Sequence, residues 1–130
     1  MSTTQQTLKR TIEAADRAIT AEDFDALMDF YADDATLVVK PGLNATGKPA
    51  IRRAFVAIAE HFNHSIQVTQ GQMQVIEGGD TALVIMETHL HTADAGDITR
   101  RATYVFRQIE GRWLCVVDNS YGTGLLDAGG

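Results

Sequence analysis

The chain has 130 residues, 45% hydrophobic and 22% charged, the size and make-up of one globular domain, residues 1–130, with a core of its own. A formal net charge of −6, with no basic run longer than the pairs Lys9-Arg10, Arg52-Arg53 and Arg100-Arg101, argues against nucleic acid or an anionic membrane as partner. The opening MSTTQQTLKRTIEAAD has no apolar leader and no apolar run reaches transmembrane length, so no membrane span and a cytoplasmic location are expected.

Leu8, Ile12, Ala15 and Ile19 recur at helical spacing and predict an amphipathic helix over 5–20, capped by Thr3 or Thr4. Asp23 can cap a short second helix whose stripe is Phe24, Leu27, Met28 and Tyr31. Ala35 to Lys40 reads as a strand stopped by Pro41-Gly42. A third helix follows from Pro49 to Phe62, with Ile51, Ala54, Phe55, Ile58 and Phe62 on one face. From Ser65 the pattern changes to strands over 65–76, 81–92, 98–109 and 112–121, separated by Glu77-Gly-Gly-Asp80, Ala93-Asp-Ala-Gly96 and Glu110-Gly111. The expected class is α+β, with three helices packed on a curved antiparallel sheet.

The last hairpin decides which side chains are inside. If Ile109 pairs with Arg112, then Val105 faces Val116, Thr103 faces Asp118 and Arg101 faces Ser120. Assuming four-residue loops at 77–80 and 93–96, one face collects Val84, Met86, Arg101, Thr103, Val105, Val116, Asp118 and Ser120. The other face holds Gln70, Gln72, Gln74, Glu87, His89, His91 and Arg100, a polar group expected to face solvent. Tyr104, Phe106, Trp113, Cys115 and Val117 share that outer face and predict a homodimer contact.

Gly42 to Pro49 approaches a phosphate-binding loop, but proline stands where a hydroxyl residue is needed and no parallel βαβ unit surrounds it. Glu87, His89 and His91 have a metal-like spacing among solvated neighbours, and no metal or cofactor is expected. Cys115 stands alone, so no internal disulfide can form, and it reads as a small buried side chain. On the face under the helices, Asp118, Arg101, Thr103 and Ser120 are polar. Arg101 and Asp118 read either as a structural ion pair or as a site in which Asp118 is the acid or base and Arg101 holds an anionic or carbonyl group.

With two helices, the run Phe30-Tyr-Ala-Asp-Asp-Ala-Thr-Leu-Val-Val-Lys-Pro-Gly42, a third helix after Gly47 and the closing Gly111-Arg-Trp113, the sequence resembles the SnoaL-like branch of the nuclear transport factor 2-like superfamily. The resemblance implies an α+β cone with a central pocket, frequent homodimers, and members ranging from isomerases, cyclases and dehydratases to oligomerisation modules. Matching the ketosteroid isomerase positions gives Lys40, a place near Ala15, and Thr103 where catalytic groups would stand, which argues against steroid isomerisation by those residues. By that resemblance, Asp118 matches the aspartate or histidine position common in the last strand of SnoaL-like members. The expected protein binds a small organic molecule in a pocket bearing Asp118, Arg101, Thr103 and Ser120, closed by Tyr31, Phe55 and Met86. It either performs cofactor-independent acid/base chemistry of an isomerase, cyclase or hydrolase/lyase type, or is a non-enzymatic dimerisation or ligand-sensing module.

Overall fold

In a computed structural model, which describes residues 2–127, three helices pack on a curved six-stranded sheet. The first helix, α1, spans Thr3–Ala21 and starts at a capping box in which the Ser2 hydroxyl accepts from Gln5 N–H and the Gln5 side chain accepts from Ser2 N–H. The cap thus falls one residue before the expected threonines. Leu8 and Ile12 are fully buried on its inner face, each contributing roughly 1.5–3 kcal/mol of burial. Asp23 caps the short α2, Phe24–Leu27, as its position predicts, and a 3₁₀ turn, Met28–Phe30, leads into β1, Tyr31–Lys40.

Strand β1 starts four residues before the expected Ala35, with Asp33 and Asp34 exposed inside it. A short β2, Leu43–Thr46, folds back on it across Pro41-Gly42, and α3, Lys48–His61, follows with Ile51, Phe55 and Ala59 buried. Four long strands complete the chain: β3 Gln67–Gly78, β4 Thr81–Thr92, β5 Gly96–Ile109 and β6 Arg112–Asn119, with a closing 3₁₀ turn at Gly122–Leu126. The sheet order is β2-β1-β6-β5-β4-β3. All neighbours are antiparallel except β1 and β6, which run parallel and put Tyr31 beside Cys115 and Leu37 beside Asp118. No helix among the described residues is long and apolar enough to cross a membrane.

Two local irregularities reverse much of the expected facing. The β4–β5 connection is one residue tighter than four, because Thr92 pairs with Gly96. The Thr92 hydroxyl accepts from Ala95 N–H at 3.0 Å, and Gly96 enters the strand at φ 70°, a conformation that costs a glycine little. One residue of slip turns every β5 side chain over. Ala102, Tyr104 and Phe106 are therefore buried, while Arg101 is exposed and Thr103 lies on the outer face. The 77–80 connection also differs, pairing Gly78 with Thr81, but by two residues, so β4 keeps its expected inner face of Ala82, Val84, Met86 and Thr88.

The second irregularity is a bulge in β6. Ile109 pairs with Arg112 as expected and Phe106 with Cys115, but Val105 pairs with Val117, leaving Val116 as an extra residue. The bulge flips the second half of β6, so Asp118 sits opposite Tyr104 and is buried. A further bulge, between Gln70 and Met73 in β3, turns Gln70 inward and leaves Thr69 and Gly71 exposed.

The expected dimer face is corrected accordingly. Tyr104, Phe106 and Cys115 belong to the interior, where Phe106 meets Phe30 edge-on at 5.5 Å, and Trp113 packs half-buried against the same core. Val117 alone of the five is exposed on the outer face.

Candidate functional site

Between the helices and the sheet lies a cavity of ≈ 170 Å³. Phe24, Phe55, Ile58 and Phe62 form its helical wall, and Leu37, Val68, Leu90 and Ile98 its sheet wall. Polar groups enter this apolar space from three directions: Asp16 from α1, Thr88, Tyr104 and Arg100 from β4 and β5, and Asp118 and Ser120 from the last strand and its end.

Asp118 is held by Tyr31, whose hydroxyl donates to Oδ2 at 2.6 Å, a short bond of the charge-assisted kind. Burial pushes the Asp118 carboxyl up to about 6, with the Tyr31 bond opposing part of the rise. Asp16 is the second acid. Burial raises it to about 7; the Gln70 hydrogen bond and Arg17 offset some of that, and the charges of Asp118 and Glu13 add to it. Gln70 donates from Nε2 to Asp16 Oδ2 at 2.8 Å and accepts at Oε1 from the Thr88 hydroxyl at 2.9 Å, so the amide's orientation is fixed from both ends. Desolvation also holds the Tyr31 and Tyr104 phenols well above their usual range, with the Asp118 charge adding to both. Two carboxyls that change protonation near neutrality in one apolar chamber can give or take a proton at a bound molecule.

The sequence-derived residues divide clearly. Asp118, Ser120 and Phe55 line the cavity, and Tyr31 stands behind Asp118 as its hydrogen-bond donor. Met86 is buried in the core and is not a wall of the cavity. Arg101 and Thr103 are corrected, since the tighter β4–β5 loop turns both away from it, and no Arg101–Asp118 ion pair forms. Arg100, read as solvent-facing, lines the cavity instead, its guanidinium 4.0 Å from the centroid of the Tyr121 ring. Sequence reasoning also missed Asp16. Its signal was present: it stands four residues after Ile12 and three before Ile19, an acid inside the apolar stripe of α1.

The histidines lie elsewhere. His64 pairs with Glu22 at 2.8 Å, and on the outer sheet face His89 contacts Glu87 at 3.0 Å while His91 contacts Asp97. Among the described residues no three His, Cys, Asp or Glu side chains converge as metal ligands.

With this geometry in place, comparison with known proteins is informative. The sequence matches the SnoaL-like domain family over residues 8–117. The chain belongs to the SnoaL-like family. Solved structures similar to this SnoaL-like domain share its fold at low identity. An NTF2-like protein of unknown function from Pseudomonas putida KT2440 is 22% identical with a TM-score of 0.78, the match covering 91% of this chain and 86% of that one. A Catenulispora acidiphila protein in complex with S-DNPA is 17% identical with a TM-score of 0.77, covering 91% and 92%. A Streptomyces avermitilis member of the NTF2-like family, provisionally described as a dehydratase, is 22% identical with a TM-score of 0.69, covering 87% and 91%. No curated protein matches the sequence of this SnoaL-like domain.

Proposed function

We infer that this SnoaL-like domain performs cofactor-independent acid/base chemistry on a small organic molecule, with Asp118 as the proton-transferring group and Asp16 as its partner acid. The observation that carries the reading is the convergence of two buried carboxyls on one apolar cavity, each held by its own neutral hydrogen-bond donor. Burial puts both acids near the working range of a base and an acid at neutral pH. The Catenulispora acidiphila relative was solved with a small molecule bound, which supports reading the cavity as a ligand pocket. The reaction class that fits is removal and return of a proton next to a carbonyl, as in an isomerisation, a cyclisation or an elimination.

The reading is tested by following deuterium exchange from D₂O into the α-position of single-ring ketones by NMR. Wild-type protein should accelerate exchange, and Asp118→Asn should lower the rate roughly 10²–10⁴-fold while keeping the fold. Saturable ketone binding with no exchange would instead favour a ligand-sensing module.

Two copies of the domain are proposed to pair through the outer sheet face, by a patch other than the one expected from sequence. Ile76, Leu83, Val105 and Val117 line up across four strands there, with Ile85 beside them, and Ile76 is 56% exposed. To one side, beyond Ile85 and Thr103, Glu87 and Arg101 stand opposite each other, and to the other the exposed Arg107 stands beside Thr81, two residues from Val105. The aliphatic row itself carries no charge, which suits a contact that must match its own copy across a two-fold axis.

A further inference from the structure

Resting on the ligand-pocket reading, we propose that the molecule taken by this cavity is a single-ring compound with a carboxylate at one end, received by Arg100, and a hydroxyl or carbonyl at the other, received by Asp118. Arg100 is the one cationic side chain among the cavity's lining residues. Its flat face is taken up by the Tyr121 ring at 4.0 Å, which leaves the N–H edge of the guanidinium to meet a planar acceptor. It has no carboxylate partner among the described residues, whereas Glu22, which lines the same cavity, is satisfied by His64. A half-buried, oriented and unpaired guanidinium is the receptor that a carboxylate fits with two parallel hydrogen bonds.

Two measures set the size of the ligand. On the inner face of β5, Arg100 stands four residues from Tyr104, which pairs with Asp118, so the two polar ends are about 13 Å apart along the strand before either side chain reaches inward. The intervening space of ≈ 170 Å³ is close to the roughly 150 Å³ of a cavity that accepts benzene, and far below what several fused rings fill. At the far end, Tyr31 occupies Oδ2 of Asp118 and leaves Oδ1 for a ligand hydroxyl. The middle of the cavity, walled by Phe24, Phe55 and Leu90, suits the ring.

The test is calorimetric titration at pH 7 with 4-hydroxybenzoate, its neutral counterpart 4-hydroxybenzamide, and the cationic 4-hydroxybenzylamine. The acid should bind at least about tenfold more tightly than the amide, since one charge-assisted pair accounts for that ratio. In Arg100→Gln the preference should vanish through weaker binding of the acid, with amide binding changed less than about twofold, and Arg100→Lys should restore part of it. Equal binding of acid and amide, tighter binding of the amine, or no binding of any probe overturns the carboxylate assignment. If Arg100→Gln fails to fold, the preference of the wild-type protein and the Arg100→Lys result decide. Ketone exchange that depends on Asp118, in a protein showing no acid preference, would leave the acid/base reading standing and this inference alone refuted.

Discussion

Asp16 and Asp118 make the protein less stable when they are ionised. Each carboxyl has a folded-state pKa above its unfolded value of 3.8, so folding favours the protonated form. Their stabilising effect is complete below about pH 4 and is lost as pH rises through about 6 for Asp118 and about 7 for Asp16. For Asp16 the cost of ionisation is on the order of 4 kcal/mol. Asp16→Asn keeps an acceptor for Gln70 and removes the charge. It should therefore raise the melting temperature at pH 8 and change it little at pH 4.5, as a thermal denaturation series will show. With Asp118 titrating at about 6 and Asp16 at about 7, deuterium exchange should follow a bell-shaped pH profile, with Asp118 ionised and Asp16 protonated near its maximum. Tyr31→Phe removes the bond that holds Asp118 down, so the acidic limb of that profile should move to higher pH.

At the scale of elements, the site depends on where strands gain or lose one residue. The alternation of apolar side chains located β3 to β6, and the two-residue turn at Glu110-Gly111 held, with both residues at positive φ. Hydrophobic alternation says nothing about loop length, however, and at 93–96 the register hangs on the hydroxyl of Thr92. The shorter loop turned Arg101 and Thr103 out and Arg100 and Tyr104 in. Asp118 was placed inside on a register that is wrong for β5, and the Val116 bulge restored it, so two slips cancelled at that residue. Deleting Val116 should turn the bulge into regular pairing that keeps Val117 opposite Val105 and Asp118 opposite Tyr104, so Asp118 should stay inside and exchange should persist in the same NMR assay. Replacing Glu110, which sits at φ 53°, by Asn should relieve turn strain and raise stability by roughly 0.5–1 kcal/mol, measured by urea denaturation.

Across the whole molecule, the layered α+β architecture was legible because the helical period dominates before Ser65, broken by the strand ending at Pro41-Gly42, and the strand period follows it, and because the Tyr-Ala-Asp-Asp-Ala run and the Gly-Arg-Trp turn point to one family. The outer surface was not legible, since it inherits every register error in the sheet. Tyr104 and Phe106, with Cys115, fill the interior, and the aliphatic row from Ile76 to Val117 takes the outside. If that row joins two copies, Val117→Lys should shift the sedimentation coefficient from dimer to monomer while leaving the cavity's ligand binding intact. Unchanged sedimentation would assign the row to the free surface.

The parallel seam between β1 and β6 also governs when the cavity is completed. Tyr31 and Asp118 are 87 residues apart in sequence, yet they share the shortest bond in the cavity. Strand β6 leaves the ribosome after the other five strands of the sheet and must enter between β1 and β5, two partners already synthesised. Long-range closure of this kind is slow, and until it happens β1 lacks one of its two neighbours. The nascent chain therefore carries an open sheet and an unjoined Tyr31–Asp118 pair until β6 is inserted, so strand insertion and completion of the cavity are one event.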